Sequence, residues 1–306
     1  MKLATMTGDF NRYLNNDTDK IKELYDAGFR YIDFSNAMNP DSIYLKENWR
    51  EEIIKVKEFA TNLGMKFVQS HAKYGDVFSK DESEREFLMQ AIIRNIEICE
   101  ILGIKNTVVH PGCIVGMNKT EFFKLNKEFY GKLFSVMERC GVNVLCENNM
   151  KNVPRNTYYV TEGAEMREFI KYVDHPLFHG CWDVGHANCD GPQYDEILAI
   201  GDELYAIHYH DNHNWRDDHL APFLGRMNHD EIINALIDVG YKGYLTFECC
   251  FSLLPSKIWT GNRREFNKEG KKNLLTEPQL FMQRHIEKML YETGKWMLES
   301  YGIFEE

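Results

Sequence analysis

Carboxylates and imidazoles recur in this chain at the ends of short β-rich runs. Gln69-Ser-His71, Val109-His110-Pro-Gly, Cys146-Glu147-Asn148, Trp182-Asp183-Val-Gly-His186, Ile207-His208-Tyr-His210-Asp211 and Phe247-Glu248 all have this form. Side chains alternate across a strand, so Leu145 shares a face with Glu147, Thr246 with Glu248, and His208 with His210. Ile207 and Tyr209 then take the opposite, apolar face. Carboxylates that converge on one axis repel unless a counter-charge is present, and a divalent cation supplies one. An oxygen-rich set with one imidazole suits Mn²⁺, Mg²⁺ or Co²⁺; further imidazoles shift the balance towards Zn²⁺. Taken singly, each residue has an ordinary reading: a helix cap, a salt bridge, or for His71 and His110 a hydrogen-bonded structural histidine. His208, one rung deeper than His210, reads as packing or support for a ligand. His175, His179, His213, His229 and His285 lie outside the pattern. Six strand ends carrying acid or imidazole together point to a metal-dependent site.

Eight runs would position these groups: Leu3–Thr7, Tyr31–Ser35, Phe67–His71, Thr107–His110, Asn143–Glu147, Gly180–Asp183, Tyr205–His210 and Tyr244–Glu248. Between them lie stretches with apolar residues three and four apart, such as Ile92, Ile93, Ile96 and Leu102, or Ile232, Ile233, Leu236 and Ile237. Gly28, Gly64, Gly103, Gly141 and Gly240 stand where helices would stop, and Asp17-Thr18-Asp19 and Asn228 read as N-caps. Strand–helix alternation implies a parallel sheet, and eight such units imply a closed (β/α)8 TIM barrel filling residues 1–306 as one domain. An open doubly wound sheet would call for a Gly-rich phosphate turn, and none is found. After the eighth strand comes a longer insertion over residues 251–278, then a C-terminal helix from Gln279 to Tyr301. In a barrel the catalytic groups stand at the C-terminal ends of the strands, where the acids and imidazoles fall.

Composition excludes some partners. The 306 residues carry a formal charge of −11, with no long basic run, so nucleic acid is not expected. The short basic stretch from Lys268 to Lys272 reads as a solvated loop. No apolar stretch is long enough to span a bilayer. The eight cysteines include no C-x-x-C pair, and the chain opens Met-Lys-Leu-Ala-Thr-Met without an apolar leader. The expectation is a soluble, cytoplasmic protein with reduced thiols.

Val-Val-His110-Pro-Gly, Glu147-Asn-Asn, Trp-Asp183-Val-Gly-His186-Ala-Asn, His208-Tyr-His210-Asp-Asn and Gly243-Tyr-Leu-Thr-Phe-Glu248 resemble the motifs of the xylose isomerase-like barrels. The branch they resemble is that of the sugar phosphate isomerases and epimerases, with the ketose 3-epimerases, hydroxypyruvate isomerase and inosose dehydratase. The resemblance runs over essentially the whole chain. It implies a divalent metal, foremost Mn²⁺, held by Glu147, Asp183, His210 and Glu248. It also implies substrate contacts from His186 and Arg216, with His71, His110 and His219 as further pocket residues. Endonuclease IV shares the barrel and holds three zinc ions; its additional ligand positions are matched by His71, His110, His186 and the Asp217-x-His219 pair. Its Gly-rich segment after the glutamate is replaced here by Asn-Asn-Met-Lys-Asn, and its Gly-Glu-Gly after the histidine by Pro222-Phe-Leu-Gly225-Arg.

The expected chemistry is proton transfer at a carbon next to a carbonyl, through a metal-bound enediolate, on an open-chain or cyclic sugar or polyol ketone. Glu147 and Glu248 would act as base and acid on the two substrate faces. Return of the proton to the other face, return to the neighbouring carbon, or loss of a β-hydroxyl would give epimerisation, isomerisation or dehydration. Trp182, Trp215, Phe223 and Phe251 could wall a sugar ring, and a homo-oligomer, dimer or tetramer, is the expected assembly. The competing readings are a zinc phosphodiesterase like endonuclease IV and a non-catalytic binding barrel.

Overall fold

A computed structural model describes residues 1–35, 38–151, 158–250, 252–253 and 279–306; most of the 251–278 insertion, Phe251 included, lies outside them. Eight strands form one closed barrel in sequence order: β1 (Lys2–Met6), β2 (Tyr31–Ser35), β3 (Lys66–His71), β4 (Asn106–Val108), β5 (Asn143–Glu147), β6 (Phe178–Asp183), β7 (Leu204–Tyr209) and β8 (Tyr244–Phe247). Every neighbouring pair is parallel, including the β8–β1 closure, where Leu3 lies opposite Leu245.

The outer helices are α1 (Asp17–Ala27), α2 (Trp49–Asn62), α3 (Glu82–Leu102), α4 (Lys119–Gly131), α5 (Phe134–Cys140), α6 (Gly163–Val173), α7 (Val184–Asn188), α8 (Tyr194–Ile200), α9 (His229–Asp238) and α10 (Leu280–Ser300). Of the apolar stripe of α3, Ile92, Ile96 and Leu102 are buried as their spacing predicts, joined by Cys99, while Ile93 is half-buried. Gly103 closes that helix with φ of 83°, a left-handed turn that any Cβ would strain. Asn228 caps α9 by accepting from the Glu231 amide, as expected. At α1 the cap differs: Asn16, not the Asp17–Asp19 stretch, takes the N-cap position, its side chain donating to Asp19 at 3.2 Å rather than accepting from a helix amide.

Two apolar layers result. A large one fills the space between strands and helices, with Phe29, Phe34, Phe169, Phe178, Trp182 and Phe247 among its fully buried rings. A small one, Val108, Leu145, Cys181 and Ala206, plugs the barrel interior. This plug sits two residues before Glu147, Asp183 and His208, so period-two alternation aims those three side chains up into the mouth just above it. Several strands end earlier than their residue types suggest. β4 stops at Val108, β7 at Tyr209 and β8 at Phe247, which leaves His110, His210 and Glu248 on the first residues of the loops.

A candidate metal centre at the barrel mouth

Glu147, Asp183, His208 and Glu248 bring one ligand atom each within 4.8 Å of one another. The expected set had His210 in this place; it is His208 that falls within this distance of the three carboxylates, because it occupies the β7 rung directly above the interior plug, opposite Asp183 on β6, while His210 reaches Asp183 from the loop beyond. His208 Nδ1 lies 2.7 Å from Glu147 Oε1 and 3.1 Å from Glu248 Oε2. His210 stands past the strand end, with Nε2 3.0 Å from Asp183 Oδ1, its ring stacked on His219 at 4.0 Å. It belongs with His186, Asp217 and His219 in a second group whose ligand atoms also fall within 4.8 Å. His71, His110 and Glu147 make a third. The strand-end residues therefore do converge, but on three neighbouring sets, two of which share Glu147.

Local folding explains the placement. Asp183 is the N-cap of the one-turn helix α7, accepting from the His186 amide at 2.7 Å, which fixes His186 one turn above the barrel. Asn148, next to Glu147, locks Asp183 from the other side: its Oδ1 accepts from the Asp183 amide at 2.6 Å and its Nδ2 donates to the Asp183 carbonyl at 2.9 Å. Gly185 in α7 lies against the His210 ring, where a Cβ would collide with it. The loop carrying Asp217 and His219 holds Asn214, His219 and Phe223 in the left-handed region, with φ of 70°, 47° and 67°. Such strain persists only where surroundings enforce it. Asp211 does so here, accepting from the amides of Gly225 and Met227 at 2.9 Å each.

Electrostatics and tautomers fit a cation. Burial pushes the Glu147 carboxyl up, but His208 and His110 beside it more than offset this and hold it well below its usual range. Burial likewise opposes ionisation of Glu248, and His208 and then His219 overcome it. Both carboxyls are ionised at neutral pH. His219 is disfavoured as a cation by burial, yet Asp217 lifts it to about 10. A carbonyl can only accept, so His71, His186 and His219 must each carry a proton on Nδ1, which faces the carbonyls of Ala72, Asn148 and Glu248 at 2.8, 3.0 and 2.9 Å. Their Nε2 atoms are the ones left facing the mouth, the nitrogens through which these rings would hold a metal once the proton there is displaced. Glu147 Oε2 and Asp217 Oδ1 are buried and make no hydrogen bond, although His110 Nε2 lies 3.0 Å from the first and His210 Nε2 3.6 Å from the second. Buried carboxylate oxygens without donors are what a cation would satisfy.

The chain matches the model of the xylose isomerase-like TIM barrel over residues 21–266. It belongs to that family. Within it, the chain is 28% identical over 186 residues to an uncharacterized protein, MJ1311, of Methanocaldococcus jannaschii, covering 58% of this chain and 62% of that one. Its backbone superposes on D-psicose 3-epimerase from Clostridium cellulolyticum H10 with a TM-score of 0.71, 17% identity, and coverage of 97% and 99% of the two chains. IOLI, a protein solved with a bound zinc atom, gives 0.71 and 18%, with coverage of 98% and 99%. At these identities the structural likeness speaks to the fold.

The remaining expected residues distribute unevenly. Arg216 pairs with Asp218, Nε to Oδ1 at 3.2 Å, beside the mouth. Trp182 is fully buried among the helices and donates to Gln193, so it walls no substrate cavity. Trp215 is exposed, and Phe223 packs on His229 and Trp296. Two residues escaped sequence reasoning. Asn148, which holds Asp183, lay within the Glu147-Asn-Asn motif without being given a role, and Asp33 is a buried carboxyl 3.9 Å from His208 that carries no spacing signal by which to find it. Among the described residues no helix is long and apolar enough to cross a membrane.

Proposed function

We propose that this protein is a divalent-metal-dependent isomerase or epimerase of a sugar or polyol ketone. The observation that carries the reading is the meeting of Glu147, Asp183, His208 and Glu248 at the open end of the barrel, directly above its plug. These four would hold the ion: three carboxylates and one imidazole suit Mn²⁺, while the neighbouring imidazole-rich groups suit Zn²⁺. When bound, a divalent ion supplies Lewis-acid polarisation of a carbonyl and its neighbouring hydroxyl. The chain's own groups do the rest. Glu147 and Glu248, both ionised, are competent to take a proton from the α-carbon, and the more open Glu248 side chain, 15% exposed against 1% for Glu147, is the one a substrate can reach first. Return of that proton to the adjacent carbon isomerises; delivery from the other side epimerises. His186, His219, His71 and His110 ring the mouth and offer hydrogen bonds to hydroxyls.

The test is a panel of ketoses, inososes, hydroxypyruvate, and 3-keto and ordinary glycosides, incubated with protein reconstituted with Mn²⁺, Co²⁺ or Zn²⁺ in deuterated water. Solvent deuterium should appear at the α-carbon of at least one compound by proton NMR. No exchange and no conversion across the panel would sink the reading.

One observation favours a second reading. Three neighbouring ligand sets, two of them sharing Glu147, resemble the trinuclear zinc pattern of endonuclease IV. The formal charge of −11 opposes a DNA partner. Elemental analysis with an abasic-site cleavage assay separates the two: three zinc ions per chain with cleavage would support the phosphodiesterase, and metal without cleavage the sugar enzyme.

A further inference from the structure

The two sides of the barrel mouth differ in polarity. Past β6 and β7 stand imidazoles and carboxylates: His186, Asp217 and His219, with Arg216 paired to Asp218. β3 and β4 are hydrogen-bonded neighbours, so the loops that leave them lie side by side at the same end of the barrel. The first of these loops carries Tyr74, three residues past His71 and 60% exposed. The second carries Ile114 and Val115, both exposed as well, a few residues past His110.

Tyr74 is held in place. Its ring stands at 88° to that of His110, with centroids 5.0 Å apart, a favoured arrangement for two aromatic rings. His110 is in turn held by Glu147, Nε2 to Oε2 at 3.0 Å, and by the tilted ring of His71. The phenol ring is thus tied through one imidazole to a carboxylate of the proposed chemistry. Apolar surface left open at the rim of a polar site marks a ligand groove. Of the aromatic residues that the sequence suggested as walls, Trp182 is buried and Phe223 packs on His229 and Trp296.

A mouth with one apolar and one polar side suits a substrate with two unlike sides. A sugar or cyclitol ring is such a molecule: its C–H bonds gather on a flat face and its hydroxyls project around the edge. An open-chain ketose or hydroxypyruvate has no fixed face of this kind, and ordering a flexible chain costs entropy that ring closure has already removed. A free ketose also loses its carbonyl when its own ring closes. A ring that keeps a carbonyl to polarise is therefore an inosose or a keto-glycoside.

We propose that Tyr74 is a substrate-contacting residue that sets specificity, and that the substrate is an inosose or keto-glycoside lying with its C–H face on the Tyr74 ring and its hydroxyls towards His186, Asp217 and His219. The proposal rests on the isomerase or epimerase reading above and names the class of compound within it.

The deuterium-exchange panel, run as steady-state kinetics on the metal-loaded full chain, tests it. Among the compounds that the wild type labels, an inosose or a keto-glycoside should have the highest kcat/KM. Tyr74→Ala should raise KM for that compound about tenfold and leave kcat within about threefold, the pattern of lost uniform binding at the scale of one aromatic contact. Tyr74→Phe keeps the ring and should hold KM within about threefold of wild type. Tyr74 is exposed, so both variants should match the wild type in melting temperature and zinc content. An open-chain ketose or hydroxypyruvate as the best substrate overturns the proposal. So does Tyr74→Ala with KM unchanged, whether kcat holds or falls together with zinc content; the second result is that of a ring that merely props His110. In both cases labelling by the wild type leaves the isomerase or epimerase reading standing. A wild type that labels nothing on the panel overturns that reading, and this inference with it.

Discussion

Glu147 and Glu248 differ in their surroundings more than in their chemistry. Glu147 is sealed among His71, His110 and His208, and Glu248 touches His208 while opening to solvent. Glu248→Gln keeps the shape and the ladder bond from the Glu248 amide to Tyr209, so the fold should survive. Turnover should fall by roughly 10² to 10⁴, the usual share of a positioned acid or base; a near-normal rate on whichever substrate the panel reveals would remove Glu248 from the chemistry. His208 and His210 separate at this scale too. His208→Ala should weaken binding of the first Mn²⁺ or Zn²⁺ ion by roughly tenfold or more, because a ligand is lost from the four-residue set. His210→Ala should leave that first ion nearly untouched. The reverse order, read by titration calorimetry, would restore His210 to the place that residue spacing suggested.

Elements act through close approach. α7 is one turn long, yet Gly185 lets it lie against the His210 ring. Gly185→Ala should displace His210 and disturb the His186–His210–Asp217–His219 group while sparing the group around Glu147. Loss of the zinc held by that group, with the remainder still tight, is the expected elemental result; full retention at wild-type affinity would count against it. A different device joins β1 to α10. Asp9, just past β1, and Glu287 of α10 are neighbouring buried carboxyls, with Thr5 donating to Asp9 at 2.9 Å and Gln283 to Glu287 at 2.9 Å. Burial lifts Asp9 to about 7, and Glu287 well above its usual range, so the pair keeps a proton that the unfolded chain has released. Between about pH 4 and 7 the folded state therefore holds more protons than the unfolded one, and stability falls as pH rises through that window. Glu287→Gln keeps the Gln283 contact and removes the penalty. Its stability advantage over wild type should grow from near zero at pH 5 to roughly 1–3 kcal/mol at pH 8, the cost of one poorly satisfied buried group. A melting-temperature difference that does not change with pH would refute this.

For the molecule as a whole, the mouth concentrates repulsion. Glu147, Asp183, Asp217 and Glu248 crowd one end of the barrel in a chain of formal charge −11, and among the described residues it is imidazoles that lie against them. A bound divalent ion should therefore stabilise the fold as well as enable chemistry. At a free metal concentration about 100-fold above Kd the gain is about 2.7 kcal/mol, or about 4 °C in melting temperature at this size. Chelation should remove that gain and re-addition restore it; a melting temperature indifferent to both would mean that no ion binds the folded state preferentially.

Chain order and residue pattern determined the eight strands, the parallel closed barrel and the end of it that carries the acids. Alternation along a strand and helical spacing are local properties, and motifs such as Trp-Asp183-Val-Gly-His186 keep their members within one turn. Which imidazole meets Glu147, Asp183 and Glu248 was decided in three dimensions. Spacing puts His208 and His210 on one face, but only the height of the plug and the β6–β7 register place His208 at the right level. Asp33 was hidden for the same reason: it lies 175 positions from His208, and only closure of the barrel brings β2 across from β7.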